Sequence, residues 1–503
     1  MSFKKNEIII MTLVIAGITI FLLRNTELTK MWTFGDLSAF PTDIGITQNW
    51  AFSLWRSEGL GFRFIPPFNY YLTIYLASFI LGSFITQKII FLSTPIVSFL
   101  TFYFLLRKIN VNLAASALGA LTYSINPITV SEFIGGSMGI IVYSTFPLIF
   151  FYTIKIIRRY KFNLKDAIIL GLLGFFIFNL HVAFWYSLVL IPLILLIVKF
   201  QEKNFKRIAR LAIPLIIIVL ILTPITLGYL QFYTSLTSRT IAFESAAAYC
   251  YKDETFYNLV RLAGNSGSAQ AEEFLNYNTL NSYTILGYAI PIIAFLPFLT
   301  KNSYINRTKK LLITSASLTF IISSGIILVI KALPSIVDMN PIFASLRNPV
   351  KLMYPLSFSL CLLFAIGTEI ILNLRNKHKM RWNALISITL ATIILLYNYP
   401  ALDGTLGLTK VRDESYYVED KYYTLPMILA KIDENYKNYR FLILPWEYPM
   451  LLKIRSELPN YFGLSVGAGI TQNIEWQKGV FEAIAVKNSR DRSYVLGLFG
   501  VKY

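Results

Sequence analysis

Between the apolar run IIIMTLVIAGITIFLL, residues 8–23, and the next one lies MWTFGDLSAFPTDIGITQNWAFSLWRSEGLGFRFIPP, residues 31–67. It carries Phe34-Gly35-Asp36 near its start and Arg63-Phe64-Ile65-Pro66-Pro67 at its end, within a loop that begins at Arg24. The connections that follow, as far as the run at 208–230, are short. A chain of membrane helices has no packing need for one long first loop. A carboxylate held there, just outside the membrane, reads as a site rather than a spacer. That loop does most to separate an enzyme from a transporter.

The surrounding composition is that of a polytopic membrane protein. Of 503 residues, 55% are hydrophobic and 15% charged, and the mean hydropathy is +0.57; a soluble chain carries about 25% charged residues. Runs such as 8–23, 208–230 and 311–330 are long enough to cross a bilayer. The formal charge of +19 does not point to nucleic acid, because Lys and Arg form no continuous basic face. They gather in short clusters between apolar runs: Arg107-Lys108, Arg158-Arg159, 199–210, 301–310 and 375–381. That is the positive-inside pattern. The two cysteines, Cys250 and Cys361, form neither a disulfide framework nor a Cys-based metal site. Lys4-Lys5 precedes the first run, but no small-residue cleavage site follows, so 8–23 reads as a retained helix.

The basic clusters set the expected topology, with the N-terminus cytoplasmic. Residues 68–82 are too short for a comfortable span, follow Pro66-Pro67 and carry Tyr70, Tyr71 and Tyr75, which predicts an interfacial helix. Residues 89–106 form the second span and 113–127 the third. An external turn, Ser131-Glu132-Phe133-Ile134-Gly135-Gly136, then leads into 138–157. Residues 167–198 start and end at inside clusters and so cross twice, breaking near 179–181. The spans 208–230, 283–299, 311–330, 352–374 and 383–399 follow. The expected fold is an all-α polytopic plasma-membrane protein of about 11 transmembrane helices, with a small α/β extracytoplasmic C-terminal segment. The transmembrane domain is 1–400, with external loops 24–88 and 231–282. Residues 401–503 form the external segment, where Tyr439-Arg440-Phe441-Leu442-Ile443-Leu444 reads as a strand. The chain ends on Leu498-Phe499-Gly500-Val501-Lys502-Tyr503, a strand just beginning, which reads as an incomplete domain.

Acids on the external side are the natural candidates for chemistry. Asp36 lies among Trp32, Phe34, Gly35 and Phe40, which suggests a carboxylate in an aromatic-lined recess. Asp43 reads as a solvated surface charge. Glu132, beside Gly135-Gly136, reads either as a second functional acid or as a turn cap. Arg347, in Ser345-Leu346-Arg347-Asn348-Pro349 just before a span, is placed either to grip a phosphate at headgroup level or to snorkel. Arg63 and Lys351 are weaker versions of the same reading, and His181 reads as a packing or hinge residue. No Walker loop, dinucleotide fingerprint, His-Glu-x-x-His or serine nucleophile elbow is present. Glu369, the main acid within a span, lies toward the inner end, whereas ion-coupled transporters place acids near mid-membrane.

This layout resembles the GT-C class of membrane glycosyltransferases. Within that class it is most similar to the arabinofuranosyltransferase-like and lipoteichoic-acid-glycosylating membrane proteins. The resemblance rests on Phe34-Gly35-Asp36, Ala120-Leu121-Thr122-Tyr123 to Pro127, Asn258-Leu259-Val260-Arg261-Leu262-Ala263-Gly264, the segment around Arg347, and Tyr494 to Tyr503. It implies transfer of a sugar from a polyprenyl- or dolichyl-phosphate donor to a glycan or glycolipid acceptor at the external face, with inversion. In that chemistry Asp36 is the general base, Glu132 the second-loop acid, and Arg347 with Arg63 the contacts to the donor phosphate. No second acid stands beside Asp36, as it does in some members, so no metal or other cofactor is assigned. The rival readings are a transporter or flippase of lipid-linked sugars and a non-catalytic membrane scaffold.

Overall fold

The computed structural model describes residues 5–24, 31–32, 76–134, 139–158, 163–180, 254–263, 284–300, 307–338, 346, 349–373, 379–398, 417–418, 441–442 and 461–462. The chain divides into two compact units, one of residues 1–26 and 91–411 and the other of 27–90 and 412–503.

The described residues are mostly helical: α1 Lys5–Arg24, α2 Ser83–Lys108, α3 Leu113–Ser124, α4 Pro127–Ile134, α5 Gly139–Arg158, α6 Leu164–Leu180, α7 Phe256–Val260, α8 Ala289–Leu299, α9 Arg307–Ala332, α10 Val350–Asn373 and α11 Lys379–Tyr397. Among the described residues, Ile85–Lys108, Gly139–Ile156, Thr308–Ala332 and Lys351–Asn373 are long and apolar enough to cross a membrane. The pair α3 and α4, bent by 42° at its break, makes a possible fifth span. Glu7–Ile20, Thr284–Leu299 and Trp382–Tyr397 are shorter apolar helices. Eleven crossings is therefore not a number that the described residues give. The expected spans at 181–198 and 208–230 lie outside them.

Why α10 forms the centre follows from its side chains. Apolar side chains lie all round it, as expected of a helix enclosed by others, its few polar groups are buried too, and 94% of its apolar window is buried, against 50% for α9. Small residues let its neighbours approach closely, since packing rather than hydrophobicity drives helix association in lipid. A Cβ built on Gly367 would lie 1.9 Å from the Ile293 carbonyl oxygen of α8, and one on Gly119 of α3 would lie 2.5 Å from the Ala365 Cβ. At Gly367 the obstacle is backbone, so the two helices would have to separate. Gly367→Ala is expected to cost about 1–3 kcal/mol of stability, read as a lowered unfolding midpoint in detergent. Gly325→Ala is the control, because nothing lies within 4 Å of a Cβ there. Equal midpoints for the two variants would contradict the close α8–α10 crossing.

Ion pairs fix which helix ends share a side. Arg107, near the end of α2, donates to Glu7 at the start of α1 (Nε–Oε1 3.0 Å) and to the Val111 carbonyl (2.6 Å). Glu369, near the end of α10, pairs with Lys309 at the start of α9 (2.5 Å) and accepts from the backbone of Asn112 (3.1 Å). Asn112 itself caps α3 through Ala115 N. The starts of α1, α3 and α9 and the ends of α2 and α10 thus lie together. A further pair, Lys155–Asp166 at 2.6 Å, ties the end of α5 to the start of α6.

The segment expected to be interfacial, 68–82, is described only at its end. Residues 76–81 are helical with Leu76, Phe79 and Ile80 exposed, and Gly82 at φ 79° separates them from α2. In the second unit, β1 (Met31–Trp32) pairs antiparallel with β2 (Tyr417–Val418). There too β3 (Phe441–Leu442) pairs in parallel with β4 (Tyr461–Phe462).

Candidate functional site

The third expected span breaks where Asn126 precedes Pro127. Proline lacks an N–H and fits the first position of a helix, so α3 ends and α4 begins in a new direction. Asn126 holds the corner. Its Oδ1 accepts from Ile128 N (3.0 Å) and Thr129 N (3.2 Å), and its Nδ2 reaches the carbonyls of Thr122 and Tyr123 and the hydroxyl of Tyr143. The Thr129 hydroxyl exchanges hydrogen bonds with the Asn126 backbone at 2.9 Å each way. Asn398, at the end of α11, donates to the Ile125 carbonyl (3.2 Å). Backbone freed at a break inside a membrane must be met by the protein, and these side chains meet it.

The corner carries Glu132 one turn beyond Thr129. The sequence placed Glu132 on an external turn, but it lies in helix α4 and is only 4% exposed. Pro127 starts a new helical segment that continues through Ser131-Glu132-Phe133, which is why the turn reading fails there. The Tyr354 hydroxyl, on the first turns of α10, donates to Glu132 Oε2 at 2.8 Å. Phe133 beside it stacks on Phe91 of α2 at 4.5 Å.

A buried aromatic and polar cluster backs this pair. The rings of Tyr354 and Tyr143 meet edge to face at 5.2 Å, and Tyr143 Oη bonds Ser357 Oγ at 2.8 Å. Tyr143 and Tyr123 stack at 4.1 Å, and each hydroxyl donates to the other's carbonyl (2.7 and 2.9 Å). Phe102 stacks on Tyr123 at 4.4 Å. Buried hydroxyls in an apolar medium are costly unless bonded, and a cluster bonded this fully fixes one arrangement of α3, α4, α5 and α10.

A second anchor sits at Arg261, after α7. Its side chain is fully buried, with Nη1 donating to the Thr284 carbonyl (3.1 Å), Nη2 to Asn258 Oδ1 (2.6 Å) and Nε to the Tyr257 carbonyl (3.2 Å). Its guanidinium lies 5.2 Å from the Tyr288 ring centre, and the Tyr397 hydroxyl donates to its carbonyl at 2.6 Å. The planar guanidinium uses its fork of donors here to join chain segments.

Of the residues singled out from sequence, Glu132 is placed against Tyr354, and Lys351 is buried one turn earlier on the same side of α10. Asp36, Asp43, Arg63, His181 and Arg347 lie outside the described residues. Among the described residues no group of three or more His, Cys, Asp and Glu is arranged to hold a metal ion. Sequence reading passed over Tyr354, Tyr143, Asn126 and Ser357. The signal was present in the Asn126-Pro127 step inside an apolar run and in tyrosines at mid-run, whose hydroxyls need partners when buried. Nothing in the sequence says which partners.

Among solved structures, the chain is similar to the single-particle cryo-EM structure of the arabinofuranosyltransferase AftD from Mycobacteria, with a TM-score of 0.58 and 11% identity over 86% of this chain. The match covers 29% of that chain, so this protein corresponds to under a third of its length. What is shared is the fold. Together with the apolar helices, this defines a polytopic membrane protein. No protein-family model matches the chain, and no curated protein matches it.

Proposed function

We propose that this chain is a GT-C-type glycosyltransferase. It moves a sugar from a polyprenyl- or dolichyl-phosphate donor to an acceptor hydroxyl on an external glycan or glycolipid, with inversion at the anomeric carbon. Asp36 takes the proton of the acceptor hydroxyl, Glu132 is the second acid of the site, and Arg347 and Arg63 stabilise the departing lipid phosphate. The observation that carries the reading is Glu132. A carboxylate only 4% exposed is fixed by a phenol donor at the corner of a broken helix, in a fold shared with an arabinofuranosyltransferase. Buried acids in membrane domains are expensive and mark function by default. The test is transfer of label from radiolabelled polyprenyl-phosphate sugars in membranes, comparing wild type with Asp36→Asn. Movement of the lipid-linked sugar without bond cleavage would replace this reading with the flippase, and neither transfer nor movement would replace it with the scaffold, whereas wild-type transfer by Asp36→Asn would remove Asp36 as the base.

Sidedness belongs to the same proposal. The helix ends gathered around Glu369 carry the basic residues Arg107 and Lys309, which the positive-inside rule puts in the cytoplasm. The N-terminus is then cytoplasmic and the Glu132 corner extracytoplasmic, with the C-terminal segment outside as well. Single cysteines at residues 205–207 are expected to resist an impermeant thiol reagent applied from outside, and those at 268–272 to react. The opposite pattern would invert the topology and put the site on the wrong face.

A further inference from the structure

We infer that Tyr354 is a positioning residue, one that sets the orientation of the Glu132 carboxylate for catalysis; the inference rests on the function proposed above. Both ends of the Tyr354–Glu132 hydrogen bond are held. Glu132 is on α4, whose direction is set by Asn126 and Thr129 at the corner after α3. Tyr354 is 1% exposed, with its ring edge-on to Tyr143 at 5.2 Å. Tyr143 is in turn bonded to Ser357, one turn further along α10. The phenol therefore has little freedom to swing, and its hydroxyl at 2.8 Å selects the side-chain rotamer in which Glu132 accepts from it. A bond from a neutral donor to a buried carboxylate is among the stronger side-chain contacts and is directional. A catalytic group displaced by about 1 Å can lose about 10²-fold in rate, so a contact that fixes this rotamer bears on turnover more than on donor binding.

The rival meaning of the same contact is a plain strut between α4 and α10. The two meanings separate in kinetics. Tyr354→Phe keeps the ring against Tyr143 and removes the hydroxyl that donates to Glu132. Positioning predicts a fall in kcat of about 10- to 100-fold, following the cost of misplacement above, with KM for the polyprenyl-phosphate sugar nearly unchanged. It also predicts non-additivity: in the Glu132→Gln background, adding Tyr354→Phe lowers kcat no further. Ser359→Ala is the control for damage to α10, because the buried Ser359 hydroxyl bonds the Pro355 carbonyl of its own helix and neither Tyr143 nor Glu132, and its kcat is expected to stay near wild type. Should Tyr354→Phe fail to accumulate in membranes, Tyr354→Gln and Tyr354→Met give the same reading. They are close in size and differ in having a donor, so the Gln variant should keep the higher kcat.

The outcomes are distinct. Tyr354→Phe with wild-type kcat, effects that multiply with Glu132→Gln, or equal kcat in the Gln and Met variants would overturn the positioning role. Those results leave the transferase itself standing. Glu132→Gln with full activity removes Glu132 from the site and Tyr354's role with it. A wild-type protein that transfers no sugar refutes the proposed function instead.

Discussion

Turnover of the Asp36→Asn variant is expected to fall by about 10²–10⁴-fold, the usual worth of a general base, while donor binding survives. Asparagine keeps the size of the side chain and most of its hydrogen bonds, but it cannot take a proton from an acceptor hydroxyl. The attacking oxygen would have to develop its charge unaided, so the loss falls on kcat rather than on KM. The prediction rests on the setting of Asp36 in sequence. It follows strand β1 by four residues, where Trp32 pairs with Tyr417 of the second unit, and aromatic residues flank it. Single-turnover transfer, with donor affinity measured separately, is the decisive assay. A variant that turns over at the wild-type rate would remove the base from the mechanism. A variant that no longer binds donor would mean that Asp36 holds the donor rather than activating the acceptor.

The second large effect is expected at Glu369. Its carboxylate faces the Lys309 ammonium and also accepts the backbone N–H of Asn112, so one side chain ties α10 to the starts of both α9 and α3. Both members of the ion pair are 7% exposed. Removing one partner of a buried pair costs about 3–5 kcal/mol, because the charge opposite loses its counter-ion in a medium of low dielectric. Against a total stability of about 5–15 kcal/mol, Glu369→Ala should lower the unfolding midpoint in detergent sharply. The double variant Glu369→Leu/Lys309→Met removes both charges and should recover most of the loss. What remains includes the cost at Asn112, whose N–H then lacks the carboxylate. A Glu369→Ala protein as stable as wild type would show that the pair is not a clamp.

Much of the membrane domain was legible as sequence. Apolar runs with basic ends marked α5, α9 and α10 to within a few residues, and the end of α2 though its start lies six residues earlier than expected, because hydropathy and charge at span ends act locally and leave a local pattern. The same property hid the arrangement of those helices. α9 and α10 have nearly equal mean hydropathy, 2.1 and 1.9, yet one is half buried and the other almost wholly enclosed. Lipid tails are as apolar as leucine, so composition cannot distinguish a face turned to lipid from one turned to protein.

The candidate site divides along the same line. The sequence by itself determined that this is a membrane protein and that Asp36 stands between its first two apolar runs, while it put Glu132 on an external turn rather than in a helix. Tertiary structure alone decided that the span bends at Asn126, that Glu132 is buried, and that its partner is Tyr354, 222 positions away. It alone joined Glu7 to Arg107 across 100 positions and Asn112 to Glu369 across 257. Such partners are chosen by helix packing, which brings together residues that no local periodicity connects. Their hydrogen bonds form because a polar group left alone in the membrane core costs more than ordering it against a neighbour.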